Sequence, residues 1–160
     1  MSTTLYEVVV TAIIIKDGKY LITKRSDKEK RFPGKWTVPG GRLDESDYSE
    51  TTKETENYWY NVLEKALKRE VLEETGVEIK NIEYITSLAT VHSDGKSSLV
   101  ISCSADYLSG DVKLQDETVD CKWIRLEEAK SFDLIEGIYE ELIQTEEKRK
   151  GTKSEWEKSK

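Results

Sequence analysis

Apolar and polar residues follow two different periods along this chain, and the switches between them mark out its elements. Val8-Val9-Val10-Thr11-Ala12-Ile13-Ile14-Ile15 is β-branched and short, which predicts a buried strand. Lys16-Asp17-Gly18-Lys19 predicts a turn, after which Tyr20 to Lys24 pairs back on the first strand. A charged loop from Ser26 to Arg31 and a Pro33-Gly34 turn follow. The period then lengthens to that of a helix, expected over Glu56 to Thr75, with Gly76 as its left-handed cap. Two or three further strands come next, with turns at Ser93-Asp94-Gly95-Lys96 and Ser109-Gly110-Asp111. Val119 to Arg125 reads as the last strand. Leu134 to Thr145 reads as a helix with Leu134, Ile135, Ile138, Tyr139 and Leu142 inward. Mixed strands with two separated helices predict an α/β sandwich.

Within the long helix the inward stripe changes character. At about 100° per residue, Glu70, Glu73 and Glu74 lie within an arc of about 100°. Leu63, Ala66 and Leu67 occupy the same arc, so a stripe that begins apolar ends in carboxylates. Unpaired buried carboxylates cost several kcal/mol each or take up protons, so such a cluster on a packing face calls for cations. Magnesium suits it: a hard ion that accepts one or two carboxylates, keeps several waters and shares its other positions with substrate phosphates. Taken alone, the same residues also fit a solvated face on which Arg69 pairs with Glu73. Leu72, nearly opposite Glu70, predicts a helix packed on both sides.

Upstream stands Gly34-Lys35-Trp36-Thr37-Val38-Pro39-Gly40-Gly41, an extended segment ending in a Pro-Gly-Gly turn. Together with Arg69-Glu70-Val71-Leu72-Glu73-Glu74-Thr75-Gly76-Val77 it resembles the signature of the Nudix hydrolases, G-x5-E-x7-R-E-U-x-E-E-x-G-U with U a bulky aliphatic residue. Arg69, Glu70, Val71, Glu73, Glu74, Gly76 and Val77 match the right half of that box, and Gly41 corresponds to its first glycine. Ala66 and the phrase Leu21 to Arg25 resemble the MutT-like branch, which acts on nucleoside triphosphates. The likeness covers roughly Tyr6 to Glu140 in motif order.

One departure stands out: 27 residues separate Gly41 from Arg69 where the family pattern has 13, an insertion of 14 inside the box. Counting forward from Gly41 puts Asp47 at the first box glutamate, and counting back from Arg69 puts Asn61 there. The inserted stretch carries Asp44, Glu45, Asp47, Glu50 and Glu54, then Tyr58-Trp59-Tyr60, and suggests a lid.

The resemblance implies a central mixed β-sheet between helices and metal-dependent hydrolysis of a pyrophosphate bond in a nucleoside diphosphate linked to another group. A triphosphate or modified nucleotide is the leading substrate class, with a non-catalytic nucleotide-binding module, or an ADP-ribose or coenzyme A pyrophosphatase, as alternatives. Glu73 and Glu74 would be the principal ligands of Mg2+, with Mn2+ as substitute, Glu70 an additional ligand or base, and the Gly41 carbonyl a backbone ligand. Glycine fits there because a carbonyl approaches a metal only where no side chain intrudes. Arg69 would orient a neighbouring glutamate. Glu117, beside Asp116, is a candidate additional acid. Trp59 and Tyr60 are candidate base contacts, although the aromatic cluster reads more simply as an anchor for the inserted loop. His92 reads as a surface hairpin residue and Trp36 as core.

Composition narrows the rest. One domain is expected over residues 1–146, with 44–60 as inserted loop and helix start and 147–160 as a charged tail that frays. A formal net charge of −7 argues against a broad surface for long nucleic acid, which depends on neutralising many phosphates, while allowing a small nucleotide at a metal-loaded site. No apolar run approaches a membrane span, and the N-terminus lacks the basic and apolar regions of a signal peptide, so a cytoplasmic protein is expected. Cys103 and Cys121 read as small strand residues rather than a disulfide. A homodimer is the default expectation for assembly.

Overall fold

β1 (Tyr6–Lys16) and β2 (Lys19–Arg25) form a hairpin that opens as it leaves its turn. Asp17 and Gly18 both take positive φ (50° and 72°), the geometry of a tight hairpin whose twist matches its strands. Only Ile15↔Tyr20 and Lys16↔Lys19 pair across it. Beyond that point the strands separate, and residues 36–42 fill the gap. β3 (Trp36–Thr37) pairs with β2, while β4 (Gly40–Arg42) pairs with β1 at Val9↔Arg42, Val10↔Gly41 and Thr11↔Gly40. The Pro-Gly-Gly turn is thereby held inside the sheet.

The structure, a computed structural model, describes residues 2–152 and 155–160. β5 (Glu78–Val91) and β6 (Ser97–Ser109) form the long hairpin expected around Ser93-Asp94-Gly95-Lys96. β6 then lies parallel to β1 over Tyr6↔Ser97 to Ile15↔Asp106, and β7 (Thr118–Ile124) pairs antiparallel with β2. The result is a mixed seven-stranded sheet.

Each face of the sheet carries its own apolar layer. Val10, Ala12, Ile14 and Leu21 pack with Ala66, Leu67 and Val71 of α2 (Val62–Thr75). Ile13, Tyr20 and Ile22 pack with Trp36 and with Ile138 and Leu142 of α3 (Ile138–Arg149). The alternation along β1 and β2 feeds both layers, as expected for a sheet covered on each side. Cys103 and Cys121 are free thiols facing the α2 layer.

Three helix boundaries differ from the sequence expectation. The main helix begins at Val62, not Glu56, because Asn61 sits in the left-handed region (φ 56°) and the residues before it fold on themselves. A short helix α1 (Ser46–Ser49) forms within the insertion. The rest of the loop is tied down by Trp59, whose ring lies 5.5 Å from Tyr48 and whose indole N–H donates to the Thr51 carbonyl at 3.0 Å. Lys65 on α2 holds Glu54 at 2.6 Å. The last helix is displaced by four residues, because Leu134 and Ile135 continue as an extended bridge to Trp36 and Gly137 (φ 92°) starts the helix instead. The five apolar residues expected inward there do pack in the α3 layer. Instead of fraying at Glu146, the helix runs on to Arg149, which pairs with Asp106 at 2.8 Å. Gly76 caps α2 in the left-handed region (φ 75°), as expected.

Candidate active site

The C-terminal half of α2 lies against the Gly40-Gly41 turn, and the acidic residues meet the glycines there. Glu74 is the most enclosed. One carboxylate oxygen accepts the Gly40 amide N–H at 3.0 Å, and the other accepts the Thr118 hydroxyl at 3.1 Å. Burial raises its carboxyl above the usual range, against the pull of those two donors. Glu70 is packed so closely on Gly41 that a methyl group there would overlap its carboxylate. Its carboxyl is also raised by burial, with Arg69 opposing. Glu73 stands at the rim with 61% of its side chain exposed.

Arg69 organises these acids. Its guanidinium reaches Glu70 at 3.0 Å and Glu73 at 3.0 Å. Its Nε and one terminal nitrogen both donate to Asp47, the latter at 3.0 Å. Asp47 is buried at the start of α1, and the hydrogen bonds from Arg69 hold its carboxyl below the ordinary carboxylate range. Its second support is the Asp44 amide N–H at 2.8 Å. Sequence counting left the first glutamate position of the box open between Asp47 and Asn61. Of the two, Asp47 is the one that pairs with Arg69, whereas Asn61 is the N-cap of α2 and makes no side-chain cap hydrogen bond.

Other expected residues fall at varying distances from this centre. Glu117 has an exposed side chain, and its backbone carbonyl accepts the Ser26 N–H at 2.9 Å. The neighbouring Thr118, the first residue of β7, is the one that reaches the acids. Trp59 anchors the inserted loop, and Tyr60 is 54% exposed. The 44–60 segment thus reaches the site through Asp47, while its remainder packs on itself and on Lys65. His92 faces the Ser98 hydroxyl at 2.8 Å near its hairpin turn, and Trp36 is buried beside Phe132.

A NUDIX domain model matches residues 5–145. The chain belongs to the Nudix family. As a Nudix hydrolase it acts on phosphoric anhydride bonds. Among similar Nudix proteins, the nucleoside triphosphatase NudI of Escherichia coli O81 (strain ED1a) is 28% identical over 138 residues, covering 79% of this chain and 86% of that protein. Solved Nudix structures share the fold. A MutT Nudix hydrolase from Burkholderia pseudomallei has a TM-score of 0.66 at 23% identity, covering 88% of this chain and 98% of that one. The Nudix domain of Shewanella oneidensis NrtR, complexed with ADP ribose, has a TM-score of 0.70 at 23% identity, covering 92% and 90%.

Among the described residues, no three acidic, histidine or cysteine side chains converge into a ready cation cage. The donor set nonetheless suits a hard divalent ion. Glu70 and Glu74, two carboxylates of raised proton affinity, stand beside the glycine turn, the charge of Glu70 adds to the cost of ionising Glu74, and a divalent cation held by these residues would offset that cost.

Proposed function

We propose that this Nudix hydrolase is a divalent-metal-dependent pyrophosphohydrolase of nucleoside triphosphates, with Mg2+ as the ion and Mn2+ able to replace it. The observation that carries the reading is Glu74: a half-buried carboxylate positioned by a backbone amide and a threonine, beside a second partly desolvated carboxylate, on the helix that carries the family box. Similarity to a nucleoside triphosphatase over most of both chains supports the substrate class.

Glu70, Glu74 and the Gly41 carbonyl would hold the ion, with Glu73 completing the set from the rim. When bound, such an ion neutralises phosphate charge and acidifies a bound water. The protein's own contribution is orientation. Asp47 fixes Arg69, and Arg69 in turn fixes Glu70 and Glu73. The Gly40 amide and Thr118 fix the plane of the Glu74 carboxylate, so the acids are arranged before substrate arrives.

The test is phosphate and pyrophosphate release from the common and oxidised nucleoside triphosphates, ADP-ribose, dinucleotides and coenzyme A, with Mg2+, with Mn2+ and with chelator. Metal-dependent cleavage of triphosphates is the expected result. Cleavage confined to ADP-ribose or coenzyme A would replace the substrate class, and nucleotide binding without any turnover would leave a binding module.

A further inference from the structure

The longest run of this chain without an aspartate, glutamate, lysine or arginine covers residues 84–93. In a sequence that is 36% charged, such a run is expected in a covered strand. The structure puts it on the outside. Its first part is the second half of β5, the edge of the sheet, whose one strand neighbour among the described residues is β6. Ser87, Leu88, Ala89, Thr90 and Val91 are all exposed, so both faces of the strand meet solvent there. Edge strands of monomeric proteins are guarded by charges, proline, bulges or a covering element. From Thr86 to Val91 this edge carries no charge and no proline, and its pairing with β6 runs without a register shift.

We propose that this edge is a dimer interface, in which residues 86–91 of two copies of this chain pair antiparallel about a two-fold axis at Leu88. A strand paired antiparallel with its own copy is self-complementary, as a two-fold interface requires. Leu88 is the midpoint of residues 84–92, so an axis there keeps every charged side chain outside the paired segment. Thr86 then lies opposite Thr90, Ser87 opposite Ala89, and Leu88 opposite its own copy, with side chains about 5 Å apart.

The charges at the ends of the segment favour a second copy over a foreign strand. Tyr84 falls opposite His92 of the other copy, which brings the tip of that copy's β5–β6 hairpin beside the β5 bulge. Asp94 at the tip is half exposed and leans toward the α3 face, where it stands 3.8 Å from Arg31, the residue that also holds Glu7. On the same face, Lys148 of α3 sits at the bulge, donating to the Tyr84 and Ile85 carbonyls at 3.2 and 3.0 Å, with its ammonium 5.4 Å over the Tyr84 ring. A two-fold axis perpendicular to the sheet preserves its faces, so the Lys148 of each copy meets the Asp94 of the other. The complementarity is made twice.

Sedimentation velocity over a dilution series compares wild type with Leu88→Lys, which sets two ammonium groups face to face on the axis, and with Leu108→Lys, at an exposed leucine outside β5. Wild type should sediment as a dimer, at twice the 18.4 kDa of one chain. Leu88→Lys should raise the dimer dissociation constant at least about tenfold, and Leu108→Lys should leave it unchanged. Val91→Lys, at a position 72% exposed where a lysine leaves the core intact, should act in the same direction as Leu88→Lys, with circular dichroism checking the fold of each variant. A second arm reads the register: Lys148→Glu and Asp94→Lys should each weaken the dimer about threefold and restore it when combined. A wild type that stays monomeric at the top of the series, or a dimer that both edge lysines leave intact, overturns the proposal. A charge swap that fails to restore the dimer overturns the axis at Leu88.

Discussion

The carboxylate of Asp47 grips the guanidinium of Arg69 from 22 positions away, across an insertion that breaks the spacing of the family box. A two-pronged carboxylate–guanidinium pair is among the stronger and more directional contacts available to a protein. Here it keeps the box arginine oriented despite the added chain, because α1 folds back to set Asp47 beside α2. Replacing Asp47 with Ala should cost about 2 kcal/mol. That is less than the roughly 3–5 kcal/mol of a fully buried pair, since Arg69 keeps about a third of its side chain in water. Turnover should fall by tenfold or more as Glu70 and Glu73 lose their orienting partner. Urea melts and steady-state kinetics measure the two effects, and an unchanged kcat would remove Asp47 from the positioning chain.

Under the proposed metal-site role, Glu74 would couple catalysis to a cost in stability. Its proton affinity is raised in the fold, so the ionised carboxylate disfavours the native state above the unfolded pKa, and that penalty disappears as pH falls. Glu74→Gln should raise the melting temperature at pH 8 in the presence of chelator, and lower kcat by at least about 100-fold with Mg2+. A loss of both stability and activity would make Glu74 a structural acid.

The two glycines of the turn should behave differently. A methyl group on Gly40 would collide with the Val10 carbonyl and with Thr11, which are fixed sheet atoms, so Gly40→Ala should unfold the protein or cost about 3 kcal/mol or more. On Gly41 the collision is with the end of the Glu70 side chain, which can swing away. Gly41→Ala should therefore keep the fold by circular dichroism and lose metal-dependent turnover. Equal loss of fold in both would show that Glu70 cannot move.

Glu141 makes a second pH-dependent contribution. Its folded pKa of about 7 lies above the ordinary 4.5, so no penalty exists below about pH 4.5, the penalty grows between 4.5 and 7, and it is complete above 7. Glu141→Gln should stabilise the nucleotide-free protein by about 1–3 kcal/mol at pH 8 and by nothing at pH 4. Denaturant midpoints at the two pH values check this, and an equal shift at both would exclude a titrating Glu141.

The inserted loop is fastened mainly by Trp59, through Tyr48, the Thr51 carbonyl and the Lys53 ammonium 4.7 Å over its ring. Trp59→Ala should expose residues 51–60 to proteolysis and cost about 1–2 kcal/mol. The Asp47–Arg69 pair should survive, leaving kcat within a few-fold of wild type. Limited proteolysis with parallel kinetics tests whether loop and catalysis are separable.

The order of apolar residues, turn residues and the glycine cap was enough to predict that Val8 to Ile15 is a buried strand, that a turn falls at Ser93 to Lys96, and that the main helix sets Glu70, Glu73 and Glu74 on the arc of Leu63, Ala66 and Leu67 and stops at Gly76. Those features follow from local steric preference and the spacing of apolar residues, which a sequence displays directly. The family box likewise placed Arg69, Glu70, Glu73, Glu74 and Gly41 among the candidates. Helix starts were less legible. Asn61 and Gly137 begin α2 and α3 through left-handed backbone angles, enforced by loops that pack only once the sheet exists. The tertiary structure alone chose Asp47 over Asn61 as the partner of Arg69, brought Thr118 to Glu74 from 44 positions away, and set Glu141 against Ser102. Each of these contacts joins segments remote in the chain, and no local pattern records such pairings, because they depend on how strands and helices are stacked rather than on the order of residues within any one of them.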